Sequence, residues 1–138
     1  MSLRNWLTYL FRSRTLGERG EALAARYLKR HGFKIVSRRD RSRIGELDLV
    51  AVEGRTIVFV EVKTRRSVRK GRPTEAIDHA KQCQLTRAAL TFLKSHGLLD
   101  EQARFDVIAI IWPNGADPHI EHFRDAFSAK GPSSQFFR

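Results

Sequence analysis

Residues 45–53 and 56–65 are two β-rich segments separated only by Gly54-Arg55. A Gly-X pair between such segments suits a two-residue type II′ hairpin turn. That turn fixes the pairing. Glu53 faces Thr56, Asp48 stands opposite Glu61, and Glu46 stands opposite Lys63. Opposed residues share a face of the sheet. One face therefore carries Glu46, Asp48, Val50, Val52, Ile57, Phe59, Glu61 and Lys63, and the reverse carries Leu47, Leu49, Ala51, Val58, Val60 and Val62. Both faces are apolar, as in a sheet covered on both sides. The exception is four charges gathered at one end of one face.

The flanking segments supply the cover. Thr15-Leu16-Gly17-Glu18 has the form of a capping box and opens a helix to about residue 31, with Gly32 as its stop. Leu16, Leu23 and Tyr27 share one face of it, and Glu21 lies at the stripe's edge beside Leu28. Residues 33–38 read as a strand and 38–44 as an arginine-rich loop. Residues 65–73 form a second basic loop. Residues 74–96 read as a long helix stopped by Gly97, 104–112 as a fourth strand, and 119–123 as a fifth. The order αβββαβ(β), with a hairpin followed by a helical crossover, predicts a mixed sheet flanked by helices, an α/β fold with the third and fourth strands parallel.

Length and composition agree. A chain of 138 residues, 41% hydrophobic, suits one domain with its own core. We place that domain at 15–127. Leu3, Trp6, Leu7, Leu10 and Phe11 form the stripe of a short amphipathic segment over 1–14, and 128–138 reads as a disordered tail. The single cysteine, Cys83, excludes a disulfide framework and a Cys-based zinc site, and one free thiol fits a reducing, cytoplasmic compartment. No run approaches the ~20 apolar residues of a spanning helix, and the start lacks a signal-peptide core.

Charge points to a polyanion. The chain has 26 Lys+Arg against 15 Asp+Glu, a net charge of +11. Residues 1–45 hold 12 basic and 3 acidic residues, so most of the excess sits in the N-terminal third. Nucleic acid is the first partner this implies and an anionic membrane surface the second. Arg38, Arg39, Arg41 and Arg43 in one loop, and Arg65, Arg66, Arg69, Lys70 and Arg72 in the other, are the candidate phosphate contacts.

The chemistry centres on the open end of the hairpin. Like charges directly opposite destabilise a sheet, and two carboxylates near a core raise each other's pKa. A divalent cation answers both problems, and oxygen-rich sites suit Mg²⁺ or Mn²⁺. Lys63 projects beside Asp48 and Glu61. The plain alternative is a Glu46–Lys63 cross-strand salt bridge with solvated neighbours, and a three-residue turn would separate the two acids. On the long helix Lys81 falls inside the apolar arc of Ile77, Leu85, Ala88 and Phe92. A lysine there either snorkels outward or meets an acidic cluster.

Glu21, Asp48 in Gly45-Glu46-Leu47-Asp48, Glu61-Val62-Lys63 and Lys81 together resemble the PD-(D/E)xK nuclease superfamily, which includes restriction endonuclease-like and Holliday junction resolvase-like enzymes. Leu47 stands where that pattern has Pro. Over about residues 17–127 the chain is similar to the YraN-type family of small bacterial endonuclease-like proteins. The resemblance implies a restriction endonuclease-like core and a metal-dependent phosphodiesterase. In it Asp48, Glu61 and the Val62 carbonyl hold the metal, and Glu21 binds a second ion or a metal-bound water. Lys63 positions water or steadies developing charge, and Lys81 contacts the phosphate or tunes the carboxylates. No specificity domain is present, so structured or branched DNA is expected ahead of RNA or a fixed sequence. Two cuts on a branch would call for a homodimer. The alternative is a non-catalytic nucleic-acid-binding module of the same fold.

Overall fold

Thr15 caps the first helix as its sequence predicts. Its hydroxyl oxygen accepts the Glu18 N–H at 3.1 Å and donates to the Glu18 carboxylate at 3.2 Å. The computed structural model describes residues 2–5 and 14–137. The expected N-terminal stripe thus lies almost wholly outside the described residues, and Leu3, its one described member, is exposed.

The helix α1 (Leu16–Arg30) is followed by strands β1 (Lys34–Arg41), β2 (Glu46–Glu53) and β3 (Thr56–Arg65). Then come helix α2 (His79–Ser95) and strands β4 (Ala103–Ile111) and β5 (His119–Phe127). The sheet runs β1-β2-β3-β4-β5. Its β3–β4 pair is parallel and the other pairs antiparallel. This is the expected mixed α/β sheet flanked by helices, consistent with a restriction endonuclease-like core. Among the described residues, no helix is long and apolar enough to cross a membrane.

The helices cover opposite faces. On one, Ala24, Ala25 and Leu28 of α1 pack with Leu49, Ala51, Val58, Val60, Val62, Ile108 and Ile110. On the other, Leu85, Ala88, Phe92 and Leu93 of α2 pack with Val50, Ile57, Phe59, Phe105 and Val107. The buried stripe of α1 is Gly20, Ala24, Ala25 and Leu28. The larger Leu16, Leu23 and Tyr27 flank it half-buried. Small residues win the central position because they let the helix axis approach the sheet.

Several boundaries differ from the sequence reading. Arg38, Arg39 and Arg41 belong to β1, not to a loop, because β2 needs a partner on that side: Arg38 pairs with Leu49 and Arg41 with Glu46. Charged side chains are at home on such an edge strand. Asp78 starts the long helix, accepting the Lys81 N–H at 2.8 Å, while Pro73–Ala76 form a separate 3₁₀ turn. The stretch expected to be disordered after Phe127 is ordered through residue 137. The Lys130 N–H donates to the Thr86 hydroxyl at 3.0 Å, and Ala129 and Phe137 pack on the α2-side core. Phe137 supplies burial that the Gly, Pro and Ser content of the stretch obscured, while Phe136 stays exposed.

At the turn end of the hairpin, a polar clamp joins three strands. Asp106 is fully buried and takes hydrogen bonds from Arg104 at 2.9 Å, His122 at 2.8 Å and the Asp125 N–H at 2.9 Å. Burial alone would push this carboxyl up, but the His122, Arg104 and Asp125 hydrogen bonds outweigh it and hold it below the usual range. Arg104 also binds Glu53 at 2.9 Å, and Arg124 caps the same carboxylate.

Candidate metal centre and nucleic-acid interface

Gly54 sits at φ 61°, and the hairpin ladder runs from Glu53↔Thr56 to Leu49↔Val60 in the expected register. There it stops. Leu47 packs with Val50 in the α2-side core, while Leu49 and Ala51 face α1. Strict alternation puts Leu47 on the α1 side with Leu49, so the side-chain parity of β2 reverses around Asp48. This corrects the expected face assignment of its first residues. The Asp48 side chain replaces a ladder contact: its Oδ2 accepts the Val62 N–H at 2.9 Å.

The reversal has a consequence for the acids. Carboxylate oxygens of Glu21, Glu46 and Asp48 lie within 4.8 Å of one another. Glu46, expected opposite Lys63, instead pairs with Arg41 at 3.0 Å. Glu46 counts among the four hairpin charges but not among the expected ligands, and its place beside Glu21 and Asp48 is what sequence reasoning missed. Glu21 reaches the group because its neighbour is glycine. A Cβ on Gly20 would lie 1.9 Å from the Thr64 hydroxyl oxygen, so only glycine lets α1 sit this low on β3.

Glu61 keeps its predicted place on the α2 side and is buried, at 5% exposure. Lys63 Nζ and Lys81 Nζ lie 3.7 and 3.6 Å from its Oε1. Lys81 therefore meets the acidic cluster, the second of its two expected fates. Glu61 Oε2 is buried with no hydrogen-bond partner among the described residues. Burial first, and then the Asp48 charge, pushes the Glu61 carboxyl up to about 7. Burial also raises Asp48, against the Val62 hydrogen bond, and raises Glu21, against its bond to Arg39. Three adjacent carboxyls thus share one tendency: the folded chain disfavours their charge. That is the electrostatic character of a site that gains from a cation.

The basic residues divide into three sets. Arg39 binds Glu21 at 2.7 Å and Arg41 binds Glu46, so both brace the acids from the edge strand. Arg66 donates to the Trp112 carbonyl at 3.1 Å and Arg65 to its neighbour's carbonyl, Thr64, at 3.2 Å. Arg38, Arg43, Arg69, Lys70 and Arg72 are exposed.

A family model described as "Uncharacterised protein family UPF0102" matches residues 20–110. The chain belongs to the UPF0102 family. That match runs from Gly20 in α1 through the acids to Ile110 in β4. A UPF0102 protein of Geotalea uraniireducens (strain Rf4) is 50% identical over 115 residues, covering 83% of this chain and 91% of the relative. One of Rhodococcus jostii (strain RHA1) is 51% identical over 112 residues, covering 81% and 95%. A UPF0102 protein of Rhodopirellula baltica is 44% identical over 123 residues, covering 86% and 74%.

Proposed function

We propose that this UPF0102 protein is a metal-dependent endonuclease of the PD-(D/E)xK type, acting in the cytoplasm on phosphodiesters of structured or branched DNA. The observation that carries the reading is the buried Oε2 of Glu61, which has no donor among the described residues, set against a second carboxyl, Asp48, whose pKa is also raised. A buried carboxylate oxygen without a donor costs stability unless something electropositive completes it. Carboxylate oxygens alone are the donor set of a hard cation, Mg²⁺ or Mn²⁺.

Asp48 and Glu61 would hold the ion, with the Val62 carbonyl as a main-chain ligand and Glu21 and Glu46 on the α1 side. When bound, such an ion supplies Lewis-acid polarisation of a phosphate and lowers the pKa of water. The chain's own groups do the rest. The Val62 N–H aims the Asp48 carboxylate. Lys63 and Lys81 bring two ammonium groups to one point on Glu61, where they stabilise charge developing on a phosphate. Arg43, Arg69, Lys70 and Arg72, free of carboxylate partners among the described residues, take flanking phosphates. DNA affinity then falls with salt by roughly 0.9 log units per phosphate contact.

One observation favours a non-catalytic nucleic-acid-binding module instead. Arg39 and Arg41 already neutralise Glu21 and Glu46, so two of the four acids have partners without a metal. Thermal melting with Mn²⁺ or EDTA separates the two readings, run beside cleavage of labelled single-stranded, duplex, flap and four-way-junction DNA. The nuclease reading expects Mn²⁺ to raise the melting temperature and to support cutting, with both effects lost in Asp48→Ala. DNA binding that is equal in wild type and Asp48→Ala, with no metal shift and no cutting, moves the assignment to the module.

A further inference from the structure

Beyond the acids, the α1 side of the molecule carries a basic groove that the metal site does not use. A cleft of ≈ 580 Å³ is lined by Arg14, Arg19, Arg26, Arg38 and Trp112. It continues into a smaller cleft of ≈ 230 Å³ that shares Arg14 and Arg38, and there the lining turns acidic with Glu18 and Glu21. Among the described residues, none of these four arginines is ion-paired with a carboxylate. In the middle of this charge stands an indole. The Arg19 guanidinium lies 4.3 Å from the Trp112 ring centroid. The Trp112 backbone is pinned on both sides, its N–H donating to the Arg65 carbonyl at 2.7 Å and its carbonyl accepting from Arg66 at 3.1 Å.

Each part has a physical reading. An unpaired arginine cluster is a phosphate track. An aromatic ring held rigidly within such a track is a platform for an unpaired base, because every base has a π-face. The Arg19 guanidinium lies over one face of that ring, so an incoming base meets Trp112 together with Arg19, whose plane also stacks on bases and whose N–H donors serve a phosphate. A continuous duplex has no unpaired base to offer Trp112. A single-stranded DNA segment has both phosphates and free bases.

We propose that this groove binds a single-stranded DNA segment leading from the acidic centre, with one base stacked on Trp112. The inference deepens the nuclease reading by naming a duplex with a single-stranded tail as the preferred substrate class. It rests on that reading only for what happens at the acids.

The test is fluorescence anisotropy in EDTA with the full chain and a labelled duplex, blunt or carrying a dT tail of about 12 nucleotides. Wild type is expected to bind the tailed DNA about tenfold more tightly. Trp112→Ala should lose that preference while blunt-duplex affinity moves by less than about twofold, and Trp112→Phe should keep most of it. Arg26 is exposed, so Arg26→Ala tests the track without disturbing the core. It should lower the salt slope for the tailed DNA by about 0.7, whereas Trp112→Ala should leave the slope unchanged. Equal weakening of blunt and tailed DNA in Trp112→Ala, or no weakening of either, overturns the proposal. Mn²⁺-dependent cutting alongside an unchanged tail preference in Trp112→Ala would sink the groove and leave the nuclease. A Trp112-dependent tail preference without cutting by any preparation would sink the nuclease and leave the groove.

Discussion

Replacing Glu61 with glutamine should make the metal-free protein more stable at neutral pH, although it removes two ion pairs. Glu61 is 5% exposed and its carboxyl is pushed from an ordinary 4.5 to about 7. The folded chain therefore holds this proton more tightly than the unfolded chain. Stability falls as pH rises between about 4.5 and 7, and the full cost stands above 7. At roughly 1.4 kcal/mol per pH unit, that cost is about 3 kcal/mol. Glutamine keeps the shape without the charge. Its oxygen stays 3.6–3.7 Å from the two ammonium groups, and its amide can donate to Asp48, which the Glu61 carboxyl already touches. The lysine attractions already offset part of the burial and Asp48 contributions in that shift, so the gain stays at about 3 kcal/mol. For a domain of this size that is a rise in melting temperature of roughly 10 °C at pH 8. The assay is thermal melting of both proteins in EDTA from pH 4.5 to 8.5. The two curves should meet at the acid end, where Glu61 is protonated, and separate through pH 7. Added Mn²⁺ should raise wild type and leave Glu61→Gln unmoved. A variant that melts at or below wild type at pH 8, after matching it at pH 4.5, refutes the claim that Glu61 is held at a cost.

Other positions give independent checks. Gly20→Ala should destabilise by about 1–3 kcal/mol, the usual range for overpacking, because its Cβ meets Thr64; denaturant melts would show this, and Mn²⁺ stabilisation should shrink as Glu21 is lifted away. Asp106→Ala leaves the half-buried Arg104 with Glu53 alone and takes the acceptor from His122, and should cost about 3–5 kcal/mol in urea unfolding. The Asp106 carboxyl is held below its ordinary 3.8, so its stabilisation is present above that pH and lost as pH falls through the folded pKa; Asp106→Asn should therefore steepen no acid transition and flatten the one wild type shows. Thr15→Ala removes the acceptor for the Glu18 N–H and should cost about 1 kcal/mol, read as lower helicity and melting temperature.

The sequence by itself determined the hairpin, its register and the αβββαβ order. A Gly-X turn, two-sided apolar strands and capped helices are local signals with local causes. It also singled out Lys81, whose place inside an apolar helical arc left either an outward path or an acidic partner, and the structure supplies Glu61 as the partner. What the tertiary structure decided was which carboxylates meet. Alternation along β2 placed Glu46 opposite Lys63. Parity instead reverses around Asp48, because the Asp48 side chain takes the Val62 N–H that a regular ladder would have used, and Glu46 turns to Glu21. Gly20 could be read as a helix residue, but its purpose became visible only once Thr64 lay beneath it. Trp112 and the arginines of α1 are far apart along the chain, and no periodicity joins them. They become one groove because α1 is laid across the sheet, and that placement depends on packing between distant segments, which local pattern does not record.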